Sequence, residues 1–244
     1  MLHLIESMNT VSLAELDQVA LQNRIDNKYV LTAEQLSAVL PLINRHYKVL
    51  EIDGCKIFSY ENNYFDTKDL QFYYDHHNGY GNRLKVRGRK YKETDTSFFE
   101  IKRKEKIDRT AKTRERTTNL ISEIDEAKKK TIQSFSRKHI ADLEIILNNK
   151  FNRITFVNTE QSERMTLDFN IQYSDGAQEK TFSDFYVLEI KQPKSNGRSI
   201  ISDALKKSNI REQSFSKYIF GIIALKEHIR KNNFLPLIKK INNL

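Results

Sequence analysis

The stretch Arg83-Leu84-Lys85-Val86-Arg87-Gly88-Arg89 decides the fold. In an extended strand successive side chains point to opposite faces, so residues two apart share a face. Arg83, Lys85, Arg87 and Arg89 therefore line one face, with Leu84 and Val86 on the other. Two more stretches are written the same way. Glu100-Ile101-Lys102-Arg103-Lys104 places Glu100, Lys102 and Lys104 together, and Glu189-Ile190-Lys191 places Glu189 beside Lys191. One charged strand face is ordinarily the solvated side of a one-sided sheet. Several in one chain, rich in Arg and Lys with isolated glutamates, point instead to a sheet curled around a wet, positively charged interior. Where the apolar face of such a sheet meets helices, the charged face must turn inward. That interior suits a polyanion, with glutamates left to hold a metal.

Composition bounds the rest. The chain has 244 residues with 41 Lys+Arg against 32 Asp+Glu, a formal charge of +9 that favours anionic partners. With 3 prolines and 7 glycines there is little material for linkers or a glycine-rich phosphate loop, and no repeat is visible, so a single domain over 1–244 is expected. Without a GxGxxG or Walker pattern, a nucleotide would be held by side chains rather than by a backbone cradle. Cys55 is the sole cysteine, which excludes a disulfide framework and a cysteine zinc site and fits a reducing cytoplasm. No signal peptide is expected from the opening residues, and no run approaches the roughly 20 apolar residues of a spanning helix. Any membrane link would come from a membrane-protein partner. No nucleic-acid reader motif is present, so nucleic acid is not an expected partner.

The hydrophobic pattern predicts a helix over 13–21 and a strand over 23–31 with Arg24, Asp26 and Lys28 on one face. Thr32 caps a helix to about residue 40, where Pro41 disturbs it. Strands are expected over 47–52, 57–66, 83–89 and 97–104, with 72–79 a helical turn or loop. Ser122 is expected to cap a helical region reaching about residue 147. Strands return over 153–158, 164–171 and 185–191, and helices are expected over 200–209, 215–228 and 235–244. Strands without regular intervening helices imply a mainly antiparallel sheet.

In order along the chain stand Arg24-x-Asp26-x-Lys28-Tyr29, Tyr64-Phe65-Asp66-Thr67, Lys85-x-Arg87, Glu100-x-Lys102, Asn152-Arg153, Arg164-x-Thr166-x-Asp168, Glu189-x-Lys191 and Ser216-Lys217-Tyr218. This series, over about residues 24–221, resembles the VTC domain, the polyphosphate polymerase domain of vacuolar transporter chaperone proteins and their bacterial relatives. That domain belongs to the triphosphate tunnel metalloenzymes, with the CYTH phosphatases and adenylyl cyclases and the RNA triphosphatases. The resemblance implies an α+β fold: an antiparallel β-barrel or tunnel, helices packed outside, and a C-terminal helix closing the tunnel. It implies that Lys28, Lys85, Arg87, Lys102, Arg153, Arg164 and Lys217 face the phosphates as the catalytic set, that the Ser216 hydroxyl joins them, and that Glu189 is the ligand of a Mn²⁺ or Mg²⁺ ion. Arg24, Arg83, Lys104 and Lys191 share the same strand faces and count as further substrate contacts. Two positions depart from the pattern. The CYTH branch begins Glu-x-Glu-x-Lys, whereas Arg24 replaces the first acid here and Asp26 the second; one fewer acidic ligand favours the VTC branch. Lys85 stands where arginine is expected, which keeps the charge and loses the bidentate fork.

Phosphoryl transfer needs mostly positioning and charge neutralisation. With ATP as donor and a polyphosphate end as acceptor, such a site is a polymerase; with water as acceptor it is a tripolyphosphatase or nucleoside triphosphatase; without turnover it is a polyphosphate sensor. The reading adopted is an ATP-dependent polyphosphate polymerase, although the tunnel residues alone do not choose the acceptor, and the oligomeric state is not legible. Of the remaining features, Asp75-His76-His77 reads as a loop between elements for want of a fourth metal ligand. The basic runs 102–106 and 109–116 read as a solvated strand end or hairpin, and Lys128-Lys129-Lys130 as an exposed helix face. Tyr29, Tyr60, Tyr64 and Tyr218 read as packing against the barrel or hydrogen-bonding its wall.

Overall fold

Alternating side chains along nearly every extended segment give one sheet two unlike faces, and the fold follows from how each face is covered. The computed structural model describes residues 1–18, 24–105, 110–195 and 199–242. Among these, the chain runs α1 (Leu2–Ser7), β1 (Thr10–Val11), α2 (Leu13–Gln18), β2 (Arg24–Thr32), α3 (Ala33–His46), β3 (Lys48–Leu50), β4 (Phe58–Asp66), α4 (Gln71–His77), β5 (Arg83–Tyr91), β6 (Thr96–Lys104) and β7 (Thr110–Thr117). It continues through α5 (Glu126–Phe135), β8 (Glu144–Asn158), β9 (Glu163–Ser174), β10 (Glu179–Phe182), β11 (Phe185–Pro193), α6 (Ile200–Lys207), α7 (Lys217–Leu225) and α8 (Leu235–Asn242).

The strands form an eleven-stranded sheet whose main path is β2-β11-β9-β8-β4-β5-β6-β7, antiparallel at every step, with β10 on β9, β3 on β8 and β1 parallel to β3. Among the described residues the path curls without closing its hydrogen bonds: β2 and β7 are its ends. The curl nonetheless sets Lys102 of β6 in the field of Lys28 and Asp26 of β2. The register stacks inward residues level by level, Glu189 beside Lys28 and Thr166, Arg153 beside Asp168, Arg87 beside Glu100, and Lys85 beside Lys102. No helix among the described residues is long and apolar enough to cross a membrane.

Helices cover the outer face. α3 buries Leu36, Val39, Leu40 and Ile43 against Leu31, Leu188, Ile190, Leu167 and Phe156. α5 sets Ile132 on Val86, Phe99 and Ile101. Two elements fill the ends of the curl. At one end α7 packs Ile219 and Ile222 against the inward Val30, Leu147, Tyr173 and Val187. At the other, Val11 and Leu16 meet the inward Phe58 and Val157.

Several expected boundaries move. Pro41 lies inside α3, which starts at a capping box in which Thr32 and Gln35 exchange hydrogen bonds of 3.0 and 3.1 Å and runs on to His46. Pro41 itself faces solvent. Burial of four large apolar side chains, worth about 1.5–3 kcal/mol each, outweighs the roughly 3 kcal/mol that an interior proline costs. Ser122 caps nothing: Asp125 is the cap of α5, accepting from the Lys128 N–H at 2.8 Å. The segment before it lies on the outer face of β5, where Ile121 Cγ1 sits 2.7 Å from where a Cβ on Gly88 would stand, and the Ile121 carbonyl accepts from Asn63 Nδ2 at 2.9 Å. α5 stops at Phe135, and 144–158 is one long strand because β4 and β9 pair along it. The run 109–116, expected as a solvated strand end or hairpin, supplies β7, a mostly exposed strand paired antiparallel to β6 over its whole length. Asp75, His76 and His77 are in α4 rather than in a loop; Asp75 pairs with Lys138 at 2.9 Å, and His77 Nε2 meets Asn232 Oδ1 at 2.9 Å. Positions 19–23 of the expected first helix and strand, 106–109 of the basic runs and the last two residues of the tail lie outside the described residues.

Candidate functional site

The inward faces of the eight main strands meet α7 around a cavity of about 290 Å³. Among the described residues ten cationic side chains line it, Arg24, Lys28, Lys85, Arg87, Arg89, Lys102, Lys112, Arg153, Lys191 and Lys217, against four carboxylates, Asp26, Glu100, Asp168 and Glu189. The carboxylates hold the cations in place. Lys28 and Lys191 reach the two Glu189 oxygens at 2.8 and 3.3 Å. Arg153 grips Asp168 with Nε at 2.6 Å and Nη2 at 2.8 Å, and Lys217 binds the same carboxylate. Arg87 and Lys112 reach Glu100 at 2.5 and 3.1 Å, and Arg24 reaches Asp26 at 2.8 Å. The wall formed by β4, β5 and β6 differs. Lys85 Nζ donates to the Ser216 hydroxyl at 2.7 Å and Arg89 Nε to Asn62 Oδ1 at 2.8 Å. Neither these two nor Lys102 makes an ion pair with a carboxylate among the described residues.

Ionisation follows from this arrangement. Burial, then Lys102, Arg83, Arg87 and Lys28, push the Lys85 ammonium down to about 7. Burial also pushes Lys217 down, to about 8, with Asp168 resisting. Burial would raise the Glu189 carboxyl, but Lys191 and Lys28 hold it well below the usual range. Arg87, Arg89 and Lys112 do the same for Glu100 against its own burial. A buried charge is tolerated when paired and costly when alone. Glu100, Asp168 and Glu189 thus stay ionised at neutral pH and act as counter-ions for the inward-facing cations.

α7 brings the last contributors. Ser216 is its N-cap, its hydroxyl accepting the Ile219 N–H while also accepting from Lys85. Lys217, the first helical residue, turns toward Asp168 and lies over the Phe151 ring at 4.4 Å. Tyr218, which also lines the cavity, donates to Asp66, a fully buried carboxylate that also accepts from the N–H groups of Thr67, Phe72 and Tyr73 at 2.7–3.0 Å. Asp66 therefore ties α4 and α7 to the end of β4.

Lys28, Lys85, Arg87, Lys102, Arg153, Lys217, Arg24, Lys191, Ser216 and Glu189 all line the one cavity. Three of the expected residues lie outside its lining. Arg164 shares the inward face of β9, but its Nη2 donates to the Leu16 carbonyl at 2.7 Å, which turns it to the end filled by α2. Arg83 Nη1 donates to the Tyr80 carbonyl at 3.2 Å, and Lys104 is exposed at the outer end of β6. Lys112, expected in a solvated hairpin, also lines the cavity, and Asp26, Glu100 and Asp168 join Glu189 there as counter-ions that the spacing alone does not reveal. The period-two run Lys112-x-Arg114-x-Arg116 was the available signal for β7.

For a divalent ion the donor chemistry fits in a limited way. Among the described residues no group of three or more His, Cys, Asp or Glu side chains is arranged to cage a metal. Glu189 and Asp26 share the inward face, and Thr166, directly across from Glu189, has a buried hydroxyl without a partner. Mg²⁺-like ions take one or two carboxylates and complete their shell with water and phosphate oxygens, which this set allows.

A curled antiparallel sheet with helices outside, a cation-lined interior and a helix filling one end is the triphosphate tunnel fold. Solved structures of that fold include a candidate adenylyl cyclase from Hippeastrum described as having a dominant triphosphatase activity, 13% identical, covering 84% of this chain and 98% of that one with a TM-score of 0.51. A candidate adenylate cyclase from Vibrio parahaemolyticus is 16% identical over 82% of this chain and 99% of its own, with a TM-score of 0.49. No curated protein matches the chain. The chain belongs to the VTC domain family, whose model matches residues 23–226.

Proposed function

We propose that this protein is an ATP-dependent polyphosphate polymerase that moves the γ-phosphoryl group of ATP onto the end of a polyphosphate chain inside the cavity. Membership of the VTC family supports work on polyphosphate or triphosphate. The observation that carries the finer reading is the surplus of cations: ten against four carboxylates, with Lys85, Arg89 and Lys102 on one wall left without an ion pair. A single triphosphate brings about four negative charges. A hydrolase need hold only that one polyanion, whereas a polymerase must hold donor and acceptor phosphates side by side against their repulsion. The unpaired wall supplies the extra cations. Replacement of the first acid by Arg24 points the same way.

In this reading the chain's own residues position and neutralise. Arg87 and Arg153 offer planar forks to phosphate oxygens, and Lys28, Lys85, Lys102 and Lys217 offer compact charges. As phosphate oxygens displace the carboxylates from these cations, Glu189 is released from Lys28 and Lys191. Glu189, with Asp26 and Thr166 beside it, would then hold a Mg²⁺ or Mn²⁺ ion, which supplies charge neutralisation on the phosphate oxygens. The acceptor phosphate is already an oxyanion, so no side-chain base is required. Incubation with ATP and Mn²⁺ followed by gel analysis tests this. A ladder of polyphosphate is expected. ADP and orthophosphate without polymer would replace the reading with a triphosphatase, and tight tripolyphosphate binding without either product would replace it with a sensor.

A further inference from the structure

Beside the cavity, on the inward face of the β6–β7 edge, one arginine is held as a flat plate. Arg114 lies with its guanidinium carbon 3.5 Å from the centre of the Phe98 ring and 5.4 Å from that of Tyr91. Its Nη2 donates to the Tyr91 hydroxyl at 2.8 Å, and its Nε faces Glu100 Oε1 at 3.5 Å. Tyr91 and Phe98 brace each other edge to face, 5.7 Å apart at 80°. A ring beneath, a hydroxyl at one edge and a carboxylate at the other fix the plane, while the Arg114 side chain remains 39% exposed.

Charge pairing does not account for this. Glu100 already has Arg87 at 2.5 Å and Lys112 at 3.1 Å, so Arg114 is its third and most distant cation. Nor does Arg114 join the residues lining the cavity, as its neighbours Glu100 and Lys112 do. What the arrangement offers is a rigid, delocalised plane facing solvent, backed by an aromatic ring. Flat heterocycles stack on guanidinium planes and on aromatic side chains. Phe98 is two residues from Glu100 on the same strand face, about 7 Å away, so a ring on this plate would lie next to phosphates held by Arg87.

We propose that Arg114, backed by Phe98 and clamped by Tyr91 and Glu100, is a stacking platform for the base of a nucleoside triphosphate whose phosphates occupy the cavity. The inference rests on reading the cavity as an ATP site. The plate recognises the face of a ring, so ATP and GTP bind alike, and both bind more tightly than their phosphates alone would.

Calorimetry with ATP and with inorganic tripolyphosphate, on the wild type, Arg114→Lys and Phe98→Leu, tests the platform. Arg114→Lys keeps the charge beside Glu100 and removes the plane; Phe98→Leu keeps the apolar volume and removes the backing ring. In both variants ATP affinity should fall about five-fold or more, while tripolyphosphate affinity stays at the wild-type value. Equal losses for both ligands would make Arg114 a phosphate cation and overturn the platform, as would no loss for either. A wild type that binds tripolyphosphate and ATP with both variants unchanged removes the platform alone. A wild type that binds neither removes the ATP-site reading as well.

Discussion

Lys85 carries its charge under unusual conditions, and this has a measurable consequence. Its ammonium faces Arg83 and Arg87 of its own strand, Lys102 of β6, Lys28 of β2 and the neutral Ser216 hydroxyl of α7, with His76 of α4 nearby. Burial and these cations bring it down to about 7, so at pH 7.5 a large share is unprotonated in the free protein. A bound polyanion favours the charged form and raises that value. Binding should therefore take up a proton near pH 7.5, and affinity should fall as pH rises through 7. Calorimetry with tripolyphosphate in two buffers of different ionisation enthalpy reads the uptake, and Lys85→Arg, permanently charged, should take up markedly less, the remainder coming from groups such as Lys217, brought down to about 8; equal proton counts in the two proteins would refute the assignment. Arg87→Ala should weaken tripolyphosphate binding by about 1.5–3 kcal/mol, the scale of a charged hydrogen bond, and Glu100 keeps Lys112 as a partner, so the fold should survive. Glu189→Gln should abolish turnover while tripolyphosphate binding holds or tightens, because the substitution frees Lys28 and Lys191 and removes a negative charge. Normal turnover in that variant would exclude Glu189 as the metal ligand. The inward direction of Lys85 was legible from the alternation in 83–89. Its missing counter-ion was not, because Ser216, its only hydrogen-bond partner among the described residues, is far away in the chain.

At the scale of elements, α7 is placed by the close fit of one residue. A Cβ on Gly221 would stand 2.5 Å from both Leu147 Cδ2 and Tyr173 Cδ1, side chains fully buried at the filled end of the curl. Gly221→Ala must push the helix back, at a cost of about 1–3 kcal/mol for overpacking, and the retreat draws Lys217 from Asp168 and Ser216 from Lys85. A lowered denaturant midpoint together with a loss of turnover larger than the stability change explains is expected, and a stable, fully active variant would show that the close fit does not position the site. Secondary structure was legible wherever one face of a strand is apolar and the other charged, as in β2, β5, β6 and β11. It failed where tertiary packing decides. Pro41 looked like a stop because the sheet that holds α3 together past it is assembled from β2, β8, β9 and β11. The 122–147 region carried helical spacing, yet β4 and β9 recruit its second half as strand, and β10, four residues long, has too little pattern of its own to be seen.

The whole molecule balances a concentrated charge. Its +9 net charge is not spread evenly, since ten cations converge on a cavity of about 290 Å³ and four carboxylates only partly offset them. Which strands supply cations was visible in the sequence, because each repeats them at period two. The counter-ion role of Asp26, Glu100 and Asp168, and the diversion of Arg164 to Leu16, depend on how the curl brings distant strands together. The surplus charge makes the free protein less stable than the filled one. Any ligand bound by the folded chain alone stabilises it by RT ln(1 + [L]/Kd), about 2.7 kcal/mol at a hundredfold excess over Kd. For a chain of this size that corresponds to a rise in Tm of roughly 5–10 °C. Tripolyphosphate at such an excess should produce the rise in a thermal melt, and sodium chloride at equal ionic strength should not, because screening weakens repulsion without occupying the site. In Arg87→Ala the rise at the same tripolyphosphate concentration should shrink by about half or more, since a loss of 1.5–3 kcal/mol in binding removes most of the ligand's stabilisation. If salt reproduced the full effect, or if Arg87→Ala gave the wild-type rise, the stabilisation would come from diffuse surface charge and the cavity would not be the place where the polyanion binds.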